Sequence, residues 1–249
     1  MIATDKFVFV HLPRSGGTFV AGLIARFFPS SRMVGYHLPL EFLPAEYSHL
    51  PILGAIRNPW DFYVSWYHHV LPRDAATPLV SWMSDYGKLD FKETTRNALN
   101  LGTDTERLDR LIQTLPEEVD YQTKNIPNIT KAAMRRVQGS GIGYYTFRFN
   151  HLFGNRDDIY FCRFENFTRD LLSFFGSIDA VTAELEQYVL HAEKQNTSEH
   201  RHYSQYYSAE LASLVSLRDG GLIQRFGYCF ETARSEQAMH RSGMLGNSG

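Results

Sequence analysis

The chain has 249 residues, 43% of them hydrophobic and 14% aromatic, which is enough for one α/β domain with a sizeable core. A net charge of −2 at pH 7 argues against general nucleic-acid binding, which needs a large basic excess. The sequence has no apolar run long enough to span a membrane, and residues 1–17 lack the basic and apolar segments of a secretory signal. We therefore expect a soluble cytoplasmic protein.

Residues 6–28 form the stretch around which we expect the chain to fold. An aromatic and β-branched run over residues 7–10 predicts a buried strand. Pro13 and the pair Gly16-Gly17 predict a tight loop, and residues 18–28 have the length and apolar pattern of a helix packed on a sheet. A strand, a small-residue loop and a helix in this order are typical of a phosphate-binding element.

The loop supplies several groups that can bind an anion. A helix N-terminus offers unpaired N–H groups and a partial positive charge, and glycines let an anion approach the backbone. Ser15 and Thr18 add hydroxyl donors, and Arg14 adds a guanidinium that can hold two phosphate oxygens. The spacing differs from the ATP-binding motif GxxxxGK[ST]. The alternative interpretation is an ordinary strand-to-helix turn whose glycines serve packing.

A second strand, loop and helix follow. Residues 31–36 predict a short strand, residues 37–44 a short helical turn, and residues 51–56 the next strand. Pro59 opens a helix that runs to about residue 70. Arg57 precedes this helix and Ser65 lies about two turns along it, so the two can bind one phosphate. Alternatively, Arg57 pairs with Asp61 and Ser65 is a small residue at a helix–sheet contact, while the histidine at position 37 could merely mark a helix entry.

The middle of the chain predicts short helices joined by polar segments. Helical patterns lie near residues 79–86, 91–99 and 106–115, within a region 71–154 that we interpret as a mostly helical insertion setting substrate choice. The aromatic run 144–149 either lines an acceptor pocket or packs in the core.

The last third predicts a strand at residues 159–164, helices at 165–175, 180–192 and 208–217, and a polar loop at 195–208. Residues 222–230 are expected to pack on the core. We expect one domain over residues 1–231 and a disordered tail over 232–249. Cys162 and Cys229 lie in apolar sequence surroundings and predict core thiols rather than a disulfide.

Three blocks in register resemble the sulfotransferases that use 3′-phosphoadenosine 5′-phosphosulfate (PAPS). The first, PRSGGTF from Pro13 to Phe19, resembles the family's 5′-phosphosulfate loop P-K-S-G-T-T-W. The second, YHLP from Tyr36 to Pro39, is similar to K-T-H-L-P. The third, from Arg57 to Tyr67, resembles the 3′-phosphate element R-N-x-x-D-x-x-V-S-x-Y. A weaker match puts Phe164 where an aromatic ring touches adenine.

The resemblance implies a fold, a reaction and roles for named residues. The fold would be a three-layer α/β fold, a parallel sheet flanked by helices as in P-loop nucleotide kinases. The enzyme would move a sulfuryl group from PAPS to a hydroxyl, or less readily an amine, releasing 3′-phosphoadenosine 5′-phosphate (PAP) without a metal. His37 would be the general base and Arg14 a second catalytic residue. The cofactor would contact the following residues: Arg14, Ser15, Gly16, Gly17, Thr18, Phe19, Arg57, Ser65 and Phe164.

The sequence departs from the family pattern at four points. Arg14 replaces lysine, Phe19 replaces tryptophan, and Gly35 stands where the lysine of K-T-H would be. The family's late R-K-G element is missing, and Arg201 is our candidate to bind the 3′-phosphate in its place.

Two other functions remain as alternatives. The first is an ATP-dependent small-molecule kinase, against which the missing Walker lysine argues. The second is a non-catalytic protein that binds 3′-phosphoadenosine nucleotides, which the glycine at position 35 keeps open. The acceptor is a small molecule, carbohydrate or lipid with a hydroxyl group, and neither its identity nor the oligomeric state follows from the sequence.

Overall fold

A computed structural model of the chain describes residues 1–123, 128–191 and 200–231. It is an α/β structure with one five-stranded sheet and helices on both faces. The strands are β1 (Ile2–Ala3), β2 (Val8–Val10), β3 (Arg32–Met33), β4 (Ile52–Ile56) and β5 (Ile159–Arg163). The tail predicted at 232–249 lies outside the described residues.

The described residues contain eleven α-helices. They are α1 (Gly17–Phe27), α2 (Pro59–Asp74), α3 (Pro78–Ser84), α4 (Phe91–Leu99), α5 (Thr105–Thr114), α6 (Lys131–Arg135), α7 (Tyr144–Phe153), α8 (Phe167–Ser177), α9 (Ala183–His191), α10 (Ala209–Arg218) and α11 (Gly220–Phe226). Short 3-10 turns lie at Leu40–Phe42, Ala45–Tyr47, Phe164–Asn166 and Tyr203–Tyr206. The predicted helical character of region 71–154 agrees with α3 to α7.

The sheet is mixed, so the prediction of a parallel sheet is only partly correct. The strand order is β3-β1-β2-β4-β5, and β2, β4 and β5 run parallel to one another. β1 pairs antiparallel with both β2 and β3. The chain returns from β1 to β2 through four residues, and so short a connection can join only antiparallel strands. The loops that follow the three parallel strands leave the sheet at one edge, which is where ligands bind in α/β folds.

Alternating side chains divide the core between the two faces of the sheet. Phe7 and Phe9 pack with α1, α8 and α9, whereas Val8 and Val10 pack with α2 and α7 on the other face. This period of two is the expected geometry of a strand buried on both sides. Both faces of the central strands are therefore covered, and the loops at the strand ends remain as the place for a site.

The two helices that follow the parallel strands β2 and β4 begin in different ways. Helix α2 has Pro59 in its first turn, and the Asn58 side chain accepts a hydrogen bond from the Trp60 N–H at 3.0 Å. Helix α1 begins after Gly16 without a side-chain cap. The start of α1 thus keeps backbone donors free that a capping side chain would otherwise occupy.

Two sequence predictions are corrected by the structure. Cys162 is buried, as predicted, but Cys229, which follows α11, is exposed, so its assignment as a core thiol is wrong. The strand predicted at residues 31–36 is limited to Arg32–Met33, and both residues are exposed. The aromatic run 144–149 lies in α7 and is buried, in agreement with the core interpretation.

Candidate functional site

The loop between β2 and α1 presents free backbone donors. Gly16 has φ 85° and Arg14 has φ 64°, so the chain turns sharply twice before the helix. The N–H groups of Gly16, Gly17 and Thr18 donate to no acceptor in the part of the chain that the structure describes. Thr18 is exposed at the start of the helix. This arrangement of donors is the one that binds an oxyanion at a helix N-terminus.

The two glycines of the loop also have a packing role. A Cβ atom on Gly16 would lie 2.8 Å from the Phe167 ring, and one on Gly17 would lie 1.9 Å from the His11 ring. Both positions therefore exclude any side chain, as the packing interpretation holds. Free donors and close packing are compatible here, because the glycines allow the rings to approach one side of the backbone and leave the N–H groups free.

Arg14, Arg57 and Ser65 meet beside this loop, although they come from three different segments. Arg14 donates from Nε and Nη2 to the Ser65 hydroxyl at 3.1 and 3.0 Å. Arg57 donates from Nη1 to the Arg14 carbonyl oxygen at 3.2 Å. Burial and the nearby cations Arg57 and Arg73 lower the pKa of Arg14 to about 10. Arg14 is still a cation at neutral pH, and the positive charge of the cluster favours an anionic ligand.

Arg57 is held in place on several sides. Its Nε donates to the Asp61 carboxylate at 2.6 Å, so the ion pair considered as an alternative exists. The guanidinium also stacks over the Phe164 ring, 4.3 Å from its centroid. Its Nη2 makes no hydrogen bond with the described residues. The predicted partnership of Arg57 with Ser65 takes a different form, since Ser65 is bonded to Arg14.

Two predicted adenine-contacting residues lie along one aromatic row. Phe164 and Phe19 each lie 6.0 Å from Phe167, measured between ring centroids. Phe19 also stacks parallel to Tyr188 of α9, again at 6.0 Å. The row leads from helix α1 to Arg57 and offers apolar surface beside the cations, which suits a planar base.

His37 is fixed in one tautomer by its backbone neighbour. It has φ 48°, and its Nδ1 lies 2.9 Å from the carbonyl oxygen of His11. A carbonyl can only accept, so Nδ1 carries the proton and Nε2 is left as an acceptor. Burial and the nearby Arg148 cation lower the pKa of His37 to about 4. The imidazole is therefore neutral at pH 7, as a general base must be.

The structure brings His11 into the site, a residue that the sequence analysis missed. Its ring packs against Gly17 on one side and lies 4.7 Å from the His37 ring on the other. Burial, together with His37 and neighbouring cations, holds the pKa of His11 well below its usual range. A signal was present, since His11 directly follows β2 at the edge where parallel strands end.

Two residues of α7 were also missed. The Tyr145 hydroxyl accepts from the Arg57 N–H and donates to the Arg57 carbonyl, both at 2.9 Å, and so anchors the residue before α2. Arg148 is 5% exposed, and its Nε has no hydrogen-bond partner among the described residues. The signal for Arg148 is a single charge inside the aromatic run 144–149.

Ser15 differs from its predicted role as a ligand donor. Its hydroxyl is fully buried and makes no hydrogen bond of normal geometry in the described chain. It lies close enough to Tyr145 to lower the pKa of that phenol, although burial raises that pKa more strongly. Ser15 therefore faces α7 and not the open side of the loop, where Thr18 lies.

Arg201 is not brought against the cluster of Arg14, Arg57 and Ser65. It is exposed, and its backbone N–H donates to the Tyr206 hydroxyl at 3.2 Å, next to His68 of α2. Its side chain makes no ion pair with the described residues. Its assignment to a 3′-phosphate stays a prediction.

A cavity of about 220 Å³ lies beside this site rather than over the loop. Its lining comes from the first 3-10 turn, α6 and the end of α7 and includes Leu40, Glu41, Arg136 and His151. None of the loop residues 13–18 lines it. Over residues 1–123, 128–191 and 200–231, no cluster of three or more metal-binding side chains occurs.

Comparison with models of known protein families and with curated protein sequences finds no match. Among the described residues, the helices are too short or too polar for any of them to cross a membrane. The function is therefore inferred from the geometry of the site.

Proposed function

We propose that the protein is a PAPS-dependent sulfotransferase. The observation that carries the proposal is the convergence of two cations, Arg14 and Arg57, on a loop with three free N–H groups, beside a histidine whose Nε2 is an acceptor. The three sequence blocks that resemble the family supply these same groups. Anion-binding groups and a base are the requirements of in-line transfer of an SO₃ group.

The nucleotide would lie across the loop and the start of α2. The loop N–H groups, the Thr18 hydroxyl and Arg14 would hold the 5′-phosphate, and Arg57 would bind the 3′-phosphate through its free Nη2 edge. Asp61 and the Arg14 carbonyl already fix the plane of the Arg57 guanidinium. Such fixing lowers the entropy lost when the phosphate binds. The aromatic row of Phe19, Phe167 and Phe164 would contact adenine.

The reaction moves one group and one proton. The acceptor oxygen forms a bond to sulfur while the bond from sulfur to the 5′-phosphate oxygen breaks, and PAP leaves with the extra negative charge. Arg14 and the loop N–H groups stabilise that charge, as cations do in phosphoryl transfer. His37 Nε2 accepts the hydroxyl proton, while its Nδ1–H stays on the His11 carbonyl.

His37→Ala tests the proposal with a matched control. The variant should lose PAP formation from PAPS by about 100-fold or more, because a positioned base contributes about 10²–10⁴-fold. Its affinity for PAP should stay within about threefold of the unmodified protein, since His37 is not placed on the nucleotide phosphates. Replacing exposed His49 by alanine should change neither quantity.

Three results would contradict the proposal in different ways. Near-normal turnover in His37→Ala would remove His37 as the base. Tight PAP binding by the unmodified protein, with no PAP released from PAPS across a broad set of hydroxyl acceptors, would indicate a non-catalytic nucleotide-binding protein. Consumption of ATP with phosphorylation of an acceptor would indicate a kinase.

A further inference from the structure

Arg148 is a buried cation without a partner. It is 5% exposed, its Nε has no hydrogen-bond partner, and its side chain makes no ion pair with any described residue. Buried charges in proteins are ordinarily paired, since an isolated one loses its hydration without compensation. A lysine in this position could lose its proton, but a guanidinium cannot. The structure therefore holds a largely buried positive charge that an anionic ligand would stabilise.

A carboxylate near Arg148, that of Glu41, is paired with another arginine. Glu41 and Arg148 both influence the pKa of Tyr121, so both lie near that ring. Glu41, however, pairs with Arg136 at 3.6 Å. The other positive group near His37 is the Met1 amine, which donates to the Gly35 carbonyl and whose pKa burial lowers to about 5. Of the two positive groups near His37, Arg148 is therefore the one that carries a full charge at neutral pH.

The surroundings of Arg148 place it across the histidine pair from Arg14. Arg14 and Arg148 both contribute to the lowered pKa of His11, and Arg148 contributes to the lowered pKa of His37. The order Arg14, His11, His37, Arg148 accounts for these influences, because electrostatic effects decrease with distance. The nucleotide phosphates would lie at the Arg14 end, whereas the SO₃ group and the acceptor would meet at the His37 end, on the side of Arg148.

We infer that the acceptor carries an anionic oxygen group close to its reacting hydroxyl, and that Arg148 binds this group. That this ligand is an acceptor rests on the proposed function. The anion subsite itself rests on Arg148 alone. Guanidinium groups bind carboxylates and phosphate or sulfate esters through the same pair of N–H donors. Tyr144 lies one helical turn before Arg148, on the same face of α7, and so is next to this subsite.

This assignment also gives a role to the missing lysine position. Gly35 is packed against Leu38 and Tyr121, with a Cβ there meeting both at 3.1 Å, so this position has no room for a cation. Arg148 brings a cation to the His37 ring from α7 instead. When an anionic acceptor neutralises Arg148, His37 becomes a stronger base only in the complex, which favours transfer to the acidic acceptor over transfer to water.

Matched acceptors test the inference. We would measure PAP formation from PAPS with hydroxy acids and with their neutral amides, beginning with 4-hydroxybenzoate and 4-hydroxybenzamide, and add 4-hydroxyphenyl phosphate to separate carboxylates from phosphate esters. One charge-assisted contact corresponds to about 10- to 100-fold in kcat/KM. The unmodified protein should prefer the anionic members by that factor. Arg148→Gln should lose the preference, and Arg135→Gln, which changes an exposed arginine of α6 that makes no ion pair with the described residues, should keep it.

A binding measurement separates this inference from the proposed function. Without PAPS, the NMR signals of the anionic phenols should broaden in the presence of the unmodified protein or of Arg135→Gln, but not in the presence of Arg148→Gln. Such binding without any PAP formation would leave the anion subsite standing and contradict the sulfotransferase. Equal use of acids and amides, or a preference that survives in Arg148→Gln, would overturn the subsite.

A stability measurement guards against a variant that only misfolds. Arg148→Met removes an uncompensated buried charge and keeps most of the side-chain volume, so its thermal midpoint should rise above that of the ligand-free protein. A lower midpoint would mean that Arg148 is neutralised within the protein, and the inference would fail.

Discussion

The two sides of the site differ in whether their arginines are paired. On the loop side, Arg14 is bonded to Ser65, and Arg57 is bonded to Asp61 and stacked on Phe164. On the α7 side, Arg148 is more buried than Arg14 but has no partner among the described residues. The loop side is thus organised before any ligand arrives, whereas the α7 side has a largely buried charge that no described residue pairs with.

This difference suggests how the two proposed substrates would be recognised. Fixed guanidinium groups reduce the entropy cost of binding and suit a ligand that is always the same, such as a nucleotide donor. An unpaired buried cation penalises every neutral occupant and therefore selects by charge. His11 connects the two sides, because its ring contacts Gly17 of the loop and lies beside His37.

The largest expected effect comes from breaking this connection. Gly17→Ala would place a Cβ atom 1.9 Å from the His11 ring, which is half-buried and lies between Gly17 and the His37 ring. Overpacking of this kind costs about 1–3 kcal/mol, and the thermal midpoint of a domain this size should fall by roughly 2–4 °C for each kcal/mol.

The same substitution elsewhere in α1 is the control. A Cβ on Gly22 meets nothing within 4 Å, and alanine is a better helix former than glycine by about 0.5–1 kcal/mol. Gly22→Ala should therefore raise the midpoint in the same calorimetric measurement. A stable Gly17→Ala variant with unchanged His37 would show that the two sides are not joined through His11.

A smaller effect is expected from Arg57→Ala on the loop side. Loss of one charged contact to the 3′-phosphate should weaken PAP binding by about 10- to 100-fold and leave AMP binding unchanged, since AMP lacks that phosphate. Titration calorimetry with both nucleotides measures the difference. Arg26→Ala, which removes an exposed arginine paired with Glu184, is the matched control. An equal loss for PAP and AMP would contradict the assignment of Arg57.

The smallest effect is a change in the titration of His37. Because its pKa is lowered to about 4, the folded protein should keep His37 neutral from pH 8 down to about pH 5, where a free histidine is already mostly charged. Imidazole NMR shifts report this directly. In Arg148→Gln the midpoint should move upward, since one source of the lowering is removed. An ordinary midpoint near 6.5 in the unmodified protein would contradict the described environment.

The lowered pKa of His37 also determines how this residue changes the free energy of unfolding with pH. Between pH 6.5 and about 4, unfolded His37 binds a proton that the folded form does not, so this residue reduces stability as the pH falls through that window. Buried Asp219 acts in the opposite direction, because its pKa is raised to about 6. Comparing His37→Gln with the unmodified protein isolates the histidine contribution.

Local patterns in the sequence predict the elements well where one signal dominates. The apolar run before the loop, Pro59 and the amphipathic stretches of α4 and α5 correspond to the observed strands and helices within a few residues. The mixed edge of the sheet was not predictable from periodicity alone, since β1 and β3 have two residues each.

The site residues could be predicted only where a local sequence pattern marks them. Arg14 and Arg57 were found because each follows a recognisable strand, and Ser65 because it lies about two turns along the helix after Arg57. The structure brings the three together. Arg148 was missed because its importance comes from what it lacks, namely a partner, and that is a property of the folded surroundings. Ser15 illustrates the reverse, as a loop hydroxyl that is buried toward α7.

The central claim is that the loop side binds a 3′-phosphorylated adenine nucleotide. The most direct test is the thermal midpoint of the unmodified protein with PAP, ATP, AMP and adenosine 5′-phosphosulfate at equal concentrations. Ligand at about 100 times its Kd stabilises the folded state by about 2.7 kcal/mol, equivalent to several degrees here. The account predicts a clear rise with PAP and a much smaller one with AMP or adenosine 5′-phosphosulfate. A rise with ATP and none with PAP would contradict it.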